Sequence, residues 1–397
     1  MSQLMLRKRS RARGKPGIGL RIWPLLGLLV LLPAALVSAQ AEEPLPAACE
    51  TKDRRPQNRF YQRGNAPDDL SDDDLWLVSD FAAQDIDPAL IEGGLALLAE
   101  SRTRQSIIIM RNGAIVYEAY FNGSRASDSN NIASVSKSML SALFGIAIEQ
   151  GYFESTDERI ADYLPAYFDD VDDPKLRDLR LHDMLTMTHG LAWAENEASR
   201  FLNRSEDWVA DILSTPLSDE PGARFNYSTG VSHVMSAVLT EATGLSACEF
   251  AHRFLFQPLG IEAEFWGVDP QGYFTGGHSV SMTAREVARF GQLYLDEGRW
   301  QGEQIVPGWW VAASTSPQID IGNNYAGYGY YWWLNRIAAY DMYSALGAGG
   351  QILHVIPALE IVMVTTHGRQ GNQRDYAEEA ESYEFIWNHL IPAIEAP

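Results

Sequence analysis

Lysine is nearly absent from this sequence. Beyond residue 41 only Lys52, Lys137 and Lys175 remain, although arginine is used freely. Cysteine is scarcer still, with Cys49 and Cys248 the only two. Two thiols cannot complete a metal site, and no His-x-His, HExxH or Cys-x-x-Cys spacing adds ligands, so no metal or organic cofactor is implied. The two cysteines either form one disulfide tying an N-terminal arm to the body or stay unpaired. A Gly-x-Ser-x-Gly elbow is missing, which disfavours a Ser-His-Asp triad. Internal repeats and low-complexity tracts are missing too. Positive charge is in deficit: the formal net charge is −21. Such a surface repels nucleic acid and anionic lipid and excludes both as partners.

The basic residues cluster at the start. Arg7, Lys8, Arg9, Arg11, Arg13, Lys15 and Arg21 precede an apolar run from Ile22 to Val37, then Ser38-Ala39-Gln40-Ala41. A basic region, a short apolar core and a small-x-small end are the form of a secretory signal peptide over 1–41. The other reading is an uncleaved N-terminal membrane anchor. Either places the body in the periplasm or outside the cell. Removal of 1–41 leaves 24 of the 31 basic residues and all 52 acidic ones, a net charge of −28.

Residues 42–80 are largely polar with scattered proline and aspartate and read as an arm. The stretch 87–101 has helical apolar spacing. Residues 106–121, SIIIMRNGAIVYEAYF, form two β-rich runs about Asn112-Gly113, a strong hairpin signal. A helix follows and stops near Gly151. The middle, about 154–275, is mostly helical in pattern; 283–298 is a helix ending at glycine. GQILHVIP and LEIVMVTTH then read as strands, and 374–394 closes as a helix. The simplest packing joins the hairpin to the C-terminal strands in one antiparallel sheet. That gives an α/β lobe (about 81–153 and 276–397) and a helical lobe (about 154–275) within one 81–397 domain, with the site between them.

One of the three lysines sits in NIASVSKSMLSALFGIAIEQG, residues 131–151, among Val135, Met139, Leu140, Leu143 and Phe144. Residues at i and i+3 share a helix face, so Ser134 and Lys137 are neighbours. Ser134 falls in the first turn, where unpaired N–H groups favour a developing alkoxide. A serine hydroxyl becomes a nucleophile only when a base takes its proton. Lysine serves if its pKa falls from about 10.4 towards neutrality; arginine cannot. The plainer alternative makes Ser134 a helix cap and sends the Lys137 amine out to solvent. RFNYSTGVSHVMSAVL, residues 224–239, puts Tyr227 just before a helix, with Ser228 and Thr229 as caps. The Tyr227 phenol is either a proton carrier or an ordinary core tyrosine. ALGAGGQILHVIP, residues 345–357, is a glycine-rich lead into a strand, either a close backbone approach to a ligand or a plain turn. His189 either reaches the cleft or lies behind it. Trp332 and Trp333 either wall a groove or pack the core.

Serine-x-x-lysine, Tyr-Ser-Thr about 90 residues on, and a glycine-rich strand near the C-terminus resemble the serine β-lactamase and penicillin-binding superfamily. Within it the chain looks like the class C β-lactamase-related hydrolases, which include esterases, D-amino-acid peptidases and 6-aminohexanoate-dimer hydrolases. HDMLTMTHGLAW, GGHSVSMTAREVARFGQLYLDEGRWQGEQIVP and YGYYWWL agree with it. The resemblance spans roughly 85–395. It implies an α+β, β-lactamase/transpeptidase-like fold: an antiparallel five-stranded sheet flanked by helices, plus the helical lobe. It implies Ser134 as acylated nucleophile, Lys137 as proton acceptor and Tyr227 as general base and acid. The strand motif falls at Ala348-Gly349-Gly350, with the second oxyanion N–H from Gln351 or Gly350. Two departures stand out: Ala348 replaces a cation, and Thr229 an asparagine. Both count against efficient β-lactam hydrolysis. The implied substrate is a small ester or amide, with cell-wall D-peptides or β-lactams as the alternative and a non-catalytic binding module as the third possibility. Oligomeric state is open.

Overall fold

The expected hairpin is part of the main sheet. Asn112 (φ 50°) and Gly113 (φ 75°) are both left-handed, the backbone a two-residue type I′ turn demands. They join two strands of an eight-stranded sheet, here numbered along the chain: β1 (Leu77–Val78), β2 (Arg104–Arg111), β3 (Ala114–Tyr120), β4 (Gly327–Tyr328), β5 (Trp333–Ile337), β6 (Tyr340–Gly347), β7 (Gln351–Ile356) and β8 (Ile361–His367). Their order across the sheet is β4-β5-β6-β7-β8-β2-β3-β1. The hairpin pairs with the C-terminal strands through β2 and β8. The sheet is therefore wider than the five strands expected; two-residue pairings at both edges account for two of the three extra strands. It is also not wholly antiparallel, since β1 runs parallel to β3.

Both faces of the sheet are covered, so its central strand needs no polar alternation. Ile107, Ile108, Ile109 and Met110 are all fully buried. Ile107 and Ile109 join Ile91, Leu98, Phe385 and Leu390 in one core. Ile108 and Met110 join Leu143, Phe290, Leu353 and Val364 in the other. Each such side chain contributes about 1.5–3 kcal/mol on burial, which holds β2 in place between the two layers.

Among the described residues, five helices run to nine or more residues: α1 (Pro88–Ala99), α2 (Val135–Glu149), α3 (Thr229–Thr243), α4 (Ala284–Leu295) and α5 (Ala377–Phe385). The last continues through a widened turn at Ile386–Leu390 into Ile391–Glu395. Thr283 and Glu286 close a reciprocal capping box on α4, whose N-terminus is thereby set by sequence alone. Helix α2 is buried from Val135 to Ala147, and it bridges the sheet and α3. A second, small sheet of Tyr61–Gln62, Ser129–Asn131, Val280–Met282 and Phe265–Trp266 abuts its N-terminus.

The structure is a computed structural model describing residues 45–50, 61–62, 76–169, 171–195, 204–322, 325–368 and 377–396. The leader expected over 1–41 and most of the arm lie outside these residues. Among the described residues, no helix is long and apolar enough to cross a membrane. Cys49 and Cys248 form a disulfide across 199 residues of sequence, which resolves the cysteine alternative. A disulfide stabilises typically by about 2–4 kcal/mol, by restricting the unfolded chain, and by more for longer loops such as this.

Candidate active site

The turn into α2 is built tightly. Ile132 donates its N–H to the Val280 carbonyl, anchoring the segment to the small sheet. Ala133 then takes a left-handed φ of 48°, held by its N–H bond to Asn131 Oδ1 at 2.9 Å. A non-glycine residue in that region is strained by about 1–3 kcal/mol and persists only where surroundings enforce it. The next residue is Ser134, at the N-cap position of α2.

Ser134 does not cap the helix with its side chain. Its half-buried hydroxyl accepts a hydrogen bond from Lys137 Nζ at 3.0 Å instead. Lys137 is 1% exposed, so the amine does not reach solvent. Nζ also donates to Thr229 Oγ1 at 3.0 Å and to the Gly277 carbonyl at 2.9 Å. It lies 5.0 Å from the centre of the Tyr227 ring. Local helix geometry supplies the first contact; the other three come from α3, from the loop before it and from the loop that leads into the small sheet's Val280–Met282 strand. Three oxygens surrounding a desolvated amine satisfy it as an ammonium. They also leave it a lone pair once it loses a proton.

Two residues that sequence reasoning passed over make this fit possible. At Gly277 a Cβ would lie 2.7 Å from Lys137 Nζ and 2.3 Å from Ser232 Oγ. Any side chain there evicts the amine. Glu195 receives the Thr229 hydroxyl at 2.5 Å on one oxygen. Its other oxygen takes the Thr229 N–H at 2.9 Å and the Trp193 indole N–H at 2.8 Å. The adjacent glycines of TGGHSVSM and the carboxylate two places after a tryptophan were visible as letters. Nothing local tied them to Lys137.

Tyr227 precedes α3, whose N-cap is Ser228, bonded to Val231 N–H. Thr229 is the first helical residue rather than a cap. The Tyr227 ring stacks on Trp333 at 5.6 Å. Trp333 also meets Phe225, Tyr325 and Tyr328, giving an aromatic wall beside the phenol. Its neighbour Trp332 points the other way, into the core against Phe290, Tyr294 and Tyr343. The tryptophan pair is thus divided between the two readings.

His189 lies behind the site, fully buried. Its Nδ1 accepts the Leu191 N–H at 3.0 Å, which leaves Nε2–H to donate to the Asn226 carbonyl at 2.8 Å. Burial lowers its pKa to about 4, so the ring is neutral and holds the backbone that carries Tyr227. His278, next to Gly277, is pushed down to about 3 by burial first and the Lys137 charge second.

The glycine-rich hairpin meets the site at a different point from the one expected. Gly347 pairs with Gln351, and Ala348-Gly349-Gly350 form the turn between them. A Cβ on Gly347 would lie 2.5 Å from the Ile132 carbonyl, so Gly347 packs against the Ser134 turn. A Cβ on Gly350 would meet His367 and Glu378. The Gln351 side chain is committed to the His367 carbonyl at 2.7 Å and the Gly349 carbonyl at 3.2 Å. The register slips because turn glycines and the strand-end glycine look alike in sequence.

A model of the family described as Beta-lactamase matches residues 96–384. The 6-aminohexanoate-dimer hydrolase of Paenarthrobacter ureafaciens is 24% identical over 288 residues, covering 67% of this chain and 72% of that protein. Among solved structures, the octameric penicillin-binding protein homologue from Pyrococcus abyssi superposes with a TM-score of 0.60 at 15% identity, over 78% of this chain and 77% of its own. EstCE1, a hydrolase with promiscuous acyltransferase activity, gives 0.59 at 15% identity, over 77% and 98%.

Proposed function

The chain belongs to the β-lactamase family of serine hydrolases, and on that premise we propose that it cleaves small esters or amides through an acyl-enzyme on Ser134. The observation that carries the reading is the buried Lys137 amine, 3.0 Å from Ser134 Oγ and 5.0 Å from the Tyr227 ring. In the acylation step Ser134 Oγ bonds to the substrate carbonyl carbon and its proton passes to Lys137. The carbonyl π electrons move to oxygen. Collapse then breaks the bond to the leaving group, which leaves with a proton delivered through Lys137 and Tyr227. Water repeats the sequence on the acyl-enzyme and regenerates Ser134.

The oxyanion donors are the Ser134 N–H, at the positive end of α2, and an amide at the Gly347–Ala348 strand end. One such donor contributes about 10²–10³-fold. The Trp333 wall favours an apolar acyl or amine chain. With Thr229 rather than an asparagine third in the tyrosine motif, β-lactams and D-peptides are the poorer substrates. A linear amide of the kind named for the Paenarthrobacter relative fits this wall. The Cys49–Cys248 disulfide supports export to an oxidising compartment.

Ser134→Ala is the test. Turnover of p-nitrophenyl esters and aminohexanoate oligomers should fall by about 10⁴-fold or more, with loss of active-serine probe labelling. Undiminished turnover refutes the assignment. Nitrocefin in the same panel tests the β-lactam alternative.

A further inference from the structure

Lys137 has partners of two kinds. The Gly277 carbonyl can only accept a hydrogen bond, whereas the Thr229 hydroxyl can accept or donate. That freedom threatens the chemistry. A neutral amine has two N–H bonds and one lone pair. If Thr229 donated its proton to the lone pair, the amine would turn an N–H towards Ser134 and could not take the serine proton.

We propose that Glu195 is a positioning residue that removes this unproductive state by fixing the direction of the hydrogen-bond chain. Its Oε1 takes the Thr229 Oγ1 proton at 2.5 Å, so Oγ1 can only accept from Lys137 Nζ at 3.0 Å. With Gly277 accepting the second N–H at 2.9 Å, the lone pair of the free amine is turned to the Ser134 side. The carboxylate is itself held by the Thr229 backbone N–H at 2.9 Å and the Trp193 indole at 2.8 Å, both on Oε2. Oε1 is therefore the oxygen left for the hydroxyl. Gly230 keeps the indole close, since a Cβ there would lie 2.5 Å from the Trp193 ring. The inference rests on the Ser134–Lys137 reading above and adds a residue to it.

Other titratable groups face this cluster, each at its own distance or on its own partner. The Tyr227 ring lies 5.0 Å from Nζ. His278 is bonded to Ser279 Oγ at 2.7 Å, and beyond it His233 pairs with Asp269 at 2.9 Å. Glu195 is the acid joined to Lys137 through a single hydroxyl.

Glu195→Gln tests the idea at constant shape. With the amide oxygen kept on the two N–H donors, its NH₂ faces Thr229 and donates to Oγ1, which frees that hydroxyl to point back at the amine. Hydrolysis of p-nitrophenyl butyrate should lose about 10²-fold in kcat, with KM and melting temperature little changed. The acid limb of the pH–rate profile should move to lower pH, because an anion near the ammonium is gone. Thr229→Val should lose a similar factor and Thr229→Ser should retain most activity. Adding Glu195→Gln to the Thr229→Val variant should cost less than about 3-fold more. An unshifted acid limb with kcat within about 2-fold of wild type overturns the proposal. So do equal rates for Thr229→Val and Thr229→Ser, a comparison that stands if Glu195→Gln does not fold. An inactive Ser134→Ala beside a wild-type-like Glu195→Gln sinks this inference alone, whereas an active Ser134→Ala sinks the reading beneath it.

Discussion

Two of the buried cations in this protein are treated in opposite ways. Arg104, 0% exposed, begins β2. It donates Nε–H to the Leu98 carbonyl at 2.7 Å and bonds the Glu381 carboxylate at 2.9 Å. Next to Glu381, Ser382 bonds the buried His354, whose other nitrogen meets Ser344. This polar layer pins α5 to the sheet. Lys137, 1% exposed, is held by a hydroxyl, a second hydroxyl and a carbonyl, and one of those hydroxyls is half open. A permanent cation is given an anion directly. A titratable one is given neutral oxygens, with the carboxylate of Glu195 set one hydroxyl away. Burial alone does not mark a working group; the protonation states its partners permit do.

The sharpest way to break this contrast is to exchange the cations. Lys137→Arg places a charge that cannot be shed where the proposed mechanism takes up the serine proton, and Gly277 leaves no room for the larger head. Steady-state ester hydrolysis should fall by about 10³-fold or more, with the fold retained by circular dichroism. Arg104→Met should do the reverse, leaving kcat/KM unchanged while urea unfolding shows a loss of about 1–3 kcal/mol. The figure is at the lower end for a buried ion pair because Glu381 is 46% exposed on its side chain and can turn to water. The smallest effect belongs to His354, whose pKa burial lowers to about 3. Its ordinary value is about 6.5, so its contribution to stability is complete above that pH and is lost progressively as pH falls towards 3. Between pH 7 and pH 5 the wild type should lose roughly 2 kcal/mol more than His354→Gln. Melting curves at the two pH values measure the difference.

Features set by near neighbours were legible. The Asn112-Gly113 turn, the Thr283–Glu286 capping box and the Ser134–Lys137 spacing each depend on residues within a few positions of one another. The glycine motif was legible as a motif but not in register, because only packing against Ile132 singles out Gly347. Gly277 and Glu195 were illegible as site residues. Gly277 lies 140 positions from the lysine it contacts, and Glu195 lies 34 positions from the threonine it orients. Two of the sheet's three extra strands are two-residue edge strands, too short to show an alternation.

The amino-acid order by itself singled out Lys137 as the candidate base, since so few lysines leave one beside an apolar helix's first serine. It also determined the hairpin and the helix starts, because turns and caps are closed by local hydrogen bonds. Only the tertiary structure decided that the amine is desolvated, which oxygens receive it and which carboxylate stands behind them. Desolvation and hydrogen-bond direction belong to groups that meet from distant parts of the chain, and no local pattern encodes that meeting.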